Sequence, residues 1–169
     1  MATQSTAGFP VRRQNRALTR EQALNVIRKS THATVGTCDT DGNPYVCPVT
    51  PVLVDDNKLY FHCAAAPGGR RSTNLGMNPR VSVCFIAADE TLPEQFSVNY
   101  ASAVVSGRAT LVTDEAERHA SMQALLARHA PGNTPEHNKQ YIDAAFQFVA
   151  MWRVDIDSVT GKARDLAAW

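Results

Sequence analysis

The sequence predicts a mainly β domain with flanking helices. Its strands, about six in number, are joined mostly by short turns, which makes the sheet largely antiparallel. Helical periodicity is confined to three main segments, one ahead of the strands and two late in the chain. Six strands of such length are more easily closed into a barrel than left with open edges.

Length and composition set the frame. A chain of 169 residues suits one domain with one sizeable core. We divide it into an N-terminal tail (1–17), a single domain (18–164) and a C-terminal tail (165–169). Hydrophobic residues make up 44% and charged residues 20%, the balance of a soluble globular protein. A formal net charge of +1 exerts no long-range pull on nucleic acid or an anionic membrane. The basic group Arg12, Arg13, Arg16 and Arg20 reads as a solvated tail. No apolar run approaches the ~20 residues of a membrane span, and no secretory h-region opens the chain. Cys38, Cys47, Cys63 and Cys84 lie in or beside apolar β-like stretches without C-x-x-C spacing. Buried free thiols in a reducing cytoplasm fit that pattern, and no metal site is expected.

Along the chain, Thr19 and Gln22 form a capping box for a helix from about Arg20 to Lys29. His32 to Cys38 reads as a strand, and Asp39-Thr40-Asp41-Gly42 as a turn. Tyr45 to Val54 is the next strand. Pro48 and Pro51 mark it as an edge, a bulge or a bend, because each lacks a ladder donor. Asp55-Asp56-Asn57 turns the chain into the strand Lys58 to Cys63. A glycine-rich corner follows, then a short helix from Ser72 to Met77 and an apolar strand from Val81 to Ile86. Ala88 to Ser97, acidic and aperiodic, is expected to be a loop. Tyr100 to Val112 is a long strand, with Gly107 at a bend or bulge. Thr113 or Asp114 caps a helix to about Ala130, and Thr134-Pro135 opens another to about Phe148. Ala150 to Ile156 is the last strand, followed by a polar tail or edge extension.

The chemistry concentrates at the corner Pro67-Gly68-Gly69-Arg70-Arg71. It is either a solvated loop or a phosphate clamp, with backbone N–H groups and the short helix at Ser72 assisting. Its pattern is neither the Walker nor the Rossmann glycine motif. Ser72 and Thr73 offer hydroxyls to an anion or a cap to the helix. His62 shares a strand face with Tyr60, while Phe61 and Cys63 take the other. A strand histidine is often structural. Here it also ends a strand beside a candidate anion site, which opens roles in anion binding, proton donation or haem ligation. Asn99 and Tyr100 could edge a pocket, and Trp152 is either core or the flank of a planar cofactor. His119, His129 and His137 read as surface or core histidines.

Several stretches together resemble the flavin-binding split-barrel superfamily of pyridoxamine 5′-phosphate oxidase, in particular its nitroimidazole-resistance branch. They are Leu59 to Ala64, the Gly-Arg-Arg corner, Asn78 to Phe85, Leu92 to Tyr100, Val104 to Ala109 and Trp152 to Ile156. The likeness spans about residues 12 to 164. It implies a six-stranded antiparallel split β-barrel that forms a homodimer with flavin mononucleotide (FMN) at the interface, acting on a small-molecule substrate. It implies Arg71 on the flavin phosphate with Arg70 or Ser72 assisting. Pro48, Val49 and Thr50 with Phe61, His62 and Cys63 would line the ring. His62 would face the substrate, and Asn99, Tyr100, Ser102 and Trp152 would come from the partner chain. The implied activity is FMN-dependent reduction of a nitroimidazole, another nitro-aromatic or a quinone, with NAD(P)H or another donor. Haem or deazaflavin binding, or a non-catalytic ligand-binding dimer, are the alternatives. The Pro67-Gly68-Gly69 turn departs from the branch, where a shorter turn ends in His-Lys.

Overall fold

The structure, a computed structural model, describes residues 10–169. The first nine residues of the expected 1–17 tail lie outside the described residues.

Helix α1 (Arg20–Lys29) starts on the expected capping box. The Thr19 hydroxyl accepts the Gln22 N–H at 3.2 Å, and the Gln22 side chain accepts the Thr19 N–H at 2.9 Å. Both satisfy amides that a helix start otherwise leaves without partners. Its apolar face, Ala23, Leu24, Val26 and Ile27, is buried.

The strands are β1 (Ala17–Leu18), β2 (Ala33–Cys38), β3 (Pro44–Val49), β4 (Val52–Val54), β5 (Lys58–Ala64), β6 (Arg80–Leu92), β7 (Ser97–Leu111) and β8 (Val149–Ala163). Between and after them lie α2 (Arg70–Met77), α3 (Glu115–His129) and α4 (Pro135–Ala145). All strands join one antiparallel sheet in the order β3-β2-β6-β7-β8-β5-β4, with β1 on β8. Eight strands replace the expected six or so. The stretch Tyr45 to Val54 breaks at Thr50-Pro51 into β3 and β4, and Ala17–Leu18 pairs with Gly161 and Lys162.

The sheet is not closed by hydrogen bonds: β3 and β4 are its two edges. Laid flat, seven strands would hold those edges ~29 Å apart. The chain from Val49 to Val52 can span no more than ~11 Å. The sheet therefore curls until its edges meet at Thr50-Pro51, which makes a split barrel. Proline at 48 and 51 supplies no donor for a closing ladder.

Two further differences concern strand length. The expected loop 88–97 is a hairpin arm: Ala88 to Leu92 pair with Ala101 to Ser97, and Pro93 to Phe96 form the tip. Asp89, Glu90 and Thr91 are all exposed, so the arm leaves no alternating burial pattern to read. β8 runs past Ile156 to Ala163, and its register on β7 shifts between Ser106 and Gly107. A Cβ on Gly107 would lie 2.3 Å from the Asp155 carbonyl oxygen, so this crossing accepts only glycine. After β8, Leu166 and Trp169 pack against the core, and the Gln22 side chain donates to the Leu166 carbonyl at 3.0 Å.

Strand alternation divides the core. Leu59, Phe61 and Cys63 of β5 join Val83, Phe85, Val105, Val154 and the α1 face inside the curl. Tyr60 points outward to Val112, Met122, Leu125, Ile142 and Met151 beneath α3 and α4. A polar rivet fixes that outer layer: Tyr60 Oη donates to Glu117 at 2.9 Å, and Arg153 donates to the same carboxylate at 2.9 Å. His62 lies on the Tyr60 face, two residues nearer the split.

Candidate functional site

The glycine corner delivers an uncapped helix start. Gly68 has φ +68° and donates to the Ala65 carbonyl at 3.0 Å, closing the turn. Glycine takes this left-handed conformation at little cost. α2 begins at Arg70 rather than at the expected Ser72, with Gly69 at its N-cap and no side chain capping it. The first-turn amides thus lack a side-chain acceptor, and their dipoles favour an anion. A Cβ on Gly69 would meet nothing within 4 Å, so the approach is open. Ser72 is not the cap; its Oγ is buried and has no hydrogen-bond partner.

The two arginines diverge. Arg70 is exposed, with its guanidinium 5.0 Å from the centre of the Tyr45 ring. Arg71 turns inward. It donates to the His62 carbonyl at 2.9 Å, to the Cys63 sulfur at 3.1 and 3.2 Å, to the Cys47 sulfur at 3.3 Å and to the Pro48 carbonyl at 3.5 Å. Its fork therefore ties the end of β5 to the edge strand β3. Arg70 is the arginine left facing solvent.

His62 borders two adjoining recesses. One, of about 260 Å³, runs over His32, Pro48, Val49, Thr50, His62 and Arg71. The other, of about 130 Å³, lies under α3 and α4 and includes Thr50, His62, Met122, Leu125, His129 and Met151. Thr50 and His62 belong to both. His62 is exposed by surface area, and partial desolvation by the recess walls, then the charge of Arg71 and a smaller effect of His129, hold its imidazole below the ordinary pKa. The ring is therefore neutral at neutral pH, with one nitrogen to donate and one to accept.

The remaining candidates separate. Pro48, Val49 and Thr50 do line the first recess. Phe61, Cys63 and Trp152 are 1%, 5% and 5% exposed and belong to the interior. Cys63 reaches the site only through its sulfur on Arg71. The Trp152 indole N–H is buried without a partner. Asn99, Tyr100 and Ser102 stand at the arm end of β7. Nine residues, or ~30 Å of strand, separate Ser102 from Leu111, which pairs with Trp152. Within one chain they do not join His62. Conversely, His129, read from sequence as a surface or core residue, lines the second recess. Its Nε2 lies 3.1 Å from the Pro51 carbonyl oxygen. His32 joins the first recess. Neither had a local signal, because tertiary packing alone brings them to the split.

Among the described residues no helix is long and apolar enough to cross a membrane, and no group of three or more His, Cys, Asp or Glu is placed to hold a metal ion.

An antiparallel split barrel with an uncapped helix start beside its split defines the class of protein. The chain belongs to the pyridoxamine 5′-phosphate oxidase family, whose profile matches residues 19–163. No curated protein sequence matches it. Solved structures share the fold. A proposed 5-nitroimidazole antibiotic resistance protein of Bacteroides thetaiotaomicron is 23% identical with a TM-score of 0.72, over 86% of this chain and 85% of that one. A conserved hypothetical protein of Mycobacterium tuberculosis is 15% identical with a TM-score of 0.77, over 94% and 93%. An FAD- and haem-binding protein of Mycobacterium smegmatis is 20% identical with a TM-score of 0.67, over 89% and 73%.

Proposed function

We propose that this protein is a cytoplasmic FMN-dependent oxidoreductase that reduces a small acceptor, such as a nitro-aromatic or a quinone, with NAD(P)H or another donor. The observation that carries this reading is the pair of recesses sharing His62 and Thr50. The more polar one reaches Arg71 in the first turn of α2; the other is more strongly apolar. That is the division a cofactor site and an acceptor site need.

The residues present fit a flavin phosphate. The uncapped first turn of α2, the open space at Gly69, the exposed Arg70 and the unpartnered Ser72 hydroxyl are complementary to such a group. Arg71 would hold the wall of the groove rather than the phosphate. FMN bound there would supply electron transfer between donor and acceptor. His62 would position the acceptor and move a proton at a ring nitrogen. A homodimer is part of the proposal. The arm carries the exposed Phe96 and Val98, with exposed Ile86 at its base, beside Asn99, Tyr100 and Ser102, which suits a face covered by a second copy.

Haem is the second reading, supported by the solvent-open His62 imidazole as an axial ligand and by the cofactors named for the M. smegmatis relative. The absorption spectrum of purified protein, before and after adding FMN, separates the two. Paired near-ultraviolet and blue bands support flavin, whereas one intense band supports haem. Protein that stays colourless and takes up no FMN refutes the flavin reading.

A further inference from the structure

The inner row of β3 meets both arginines of α2. Strand alternation puts Tyr45, Cys47 and Val49 on the face that looks into the curl, opposite Thr37, Val35 and Ala33 of β2. Arg71 lies against Cys47, and Arg70 lies over the Tyr45 ring, 5.0 Å from its centre. Tyr45 and Cys47 stand two residues, or about 7 Å, apart along the strand. The edge strand thus offers each arginine its own seat.

The same strand pins the helix that carries them. Arg70 and Asn74 are i, i+4 neighbours on one face of α2. Asn74 is buried, and its Nδ2 donates to Thr37 Oγ1 at 3.1 Å. The Thr37 hydroxyl donates in turn to the Tyr45 carbonyl at 3.3 Å. The backbone of Tyr45 therefore helps to fix α2, while its ring meets the first residue of that helix.

The two arginines differ in what they have left to give. Arg71 is spent on two carbonyls and two sulfurs. Arg70 is exposed, and among the described residues no carboxylate pairs with it. Asp39, which feels its charge, keeps its oxygens on the amides of Asp41 and Asn43. A free arginine loses much rotamer freedom when it grips an anion. A ring that already holds the planar guanidinium removes part of that loss.

We propose that Tyr45 is a positioning residue for the anion bound at the start of α2: its ring orders the Arg70 guanidinium in advance, and its hydroxyl takes no part. For the identity of the anion this rests on the flavin-phosphate reading; the hold of the ring on Arg70 does not.

The test uses the full chain as apoprotein, titrated with FMN at fixed low salt and followed by quenching of flavin fluorescence. Tyr45→Leu should weaken FMN by about two- to fivefold, and Tyr45→Phe should bind like the parent. In an Arg70→Met background, Tyr45→Leu should weaken FMN no further. Tyr45→Thr serves if the leucine variant does not fold. A loss in Tyr45→Phe equal to that in Tyr45→Leu makes the hydroxyl the contact and overturns the inference. The same loss with and without Arg70 shows that the ring merely seats α2, and overturns it too. A second readout needs no FMN. The Nε–H signal of Arg70, identified by its absence from Arg70→Met, should show a higher heteronuclear NOE in the parent than in Tyr45→Leu. Equal values overturn the inference whether or not FMN binds. A parent that takes up no FMN while Arg70 keeps its ring-dependent order removes the flavin reading and leaves the positioning of Arg70 standing.

Discussion

Arg70 and Arg71 are neighbours in sequence, and their exchange for methionine should have opposite consequences. Arg71 donates to the His62 carbonyl at 2.9 Å, a normal hydrogen bond from a charged group, worth ~1.5–3 kcal/mol. The Pro48 contact at 3.5 Å is at the limit of a hydrogen bond, and thiol sulfur is a weak acceptor. Methionine keeps much of the stem but leaves those acceptors facing an apolar group. Arg71→Met should therefore cost ~2–3 kcal/mol, which lowers Tm by ~4–12 °C for a domain of this size. Arg70 makes one solvent-exposed contact with the Tyr45 ring, worth ~0.5–1 kcal/mol, so Arg70→Met should move Tm by no more than ~4 °C.

Flavin affinity should respond in the opposite order. Losing one charge-assisted phosphate contact from Arg70 costs ~1.5–3 kcal/mol, or ~10- to 100-fold in Kd. Arg71→Met should weaken FMN less, and only through loosening of the groove wall. Calorimetry on apoprotein and an FMN titration at fixed salt measure both quantities. If Arg71→Met leaves Tm unchanged and weakens FMN more than Arg70→Met does, Arg71 is the phosphate ligand and the division of labour is wrong.

Other predictions concern the scaffold and its protons. Gly107→Ala places a Cβ against the backbone oxygen of Asp155, which no rotamer can relieve; scanning calorimetry should show a loss of ~2–3 kcal/mol, and parent-like stability would contradict the β7–β8 register. Burial, then the hydrogen bond to and charge of Glu117, raises the Tyr60 phenol to about 12. Ultraviolet difference titration of the parent against Tyr60→Phe should place the Tyr60 transition well above the ordinary tyrosine range, and ionisation near the usual value would mean the Glu117 contact does not form. The depressed pKa of His62 means that the unfolded chain binds more protons than the folded one as pH falls below the imidazole's ordinary value of about 6.5. Stability should drop across that interval, and His62→Ala should flatten the drop; an unchanged slope would show that another group controls it.

What the sequence revealed followed local rules. The Thr19–Gln22 box, the alternation that puts His62 with Tyr60, and the prolines that mark an edge all appear in the structure because each depends on near neighbours. The hairpin arm was illegible because both its faces meet solvent, which removes the alternation that identifies a strand. The start of α2 was misplaced by two residues because Gly69 caps without a side chain, so no capping signal exists to read. Trp152 read more readily as core than as cofactor flank, but sequence gives its face and not what covers that face. His129 was unreadable as a site residue: it lies 67 positions from His62, and only the packing of α3 on β5 joins them.

The position of the site has a physical cause in the split itself. An interrupted ladder leaves backbone carbonyls without strand partners, and such groups need other donors. Pro48 and Pro51 flank the break, and both of their carbonyls are met from outside the sheet. Arg71, from α2, approaches the first at 3.5 Å, and His129, from α3, meets the second at 3.1 Å. The same two side chains bound the recesses on either side of His62. The defect that prevents closure of the barrel thus recruits a cation and an imidazole to one edge. Restoring a ladder across Thr50-Pro51 would remove the need for both contacts, and with it the two recesses that meet there.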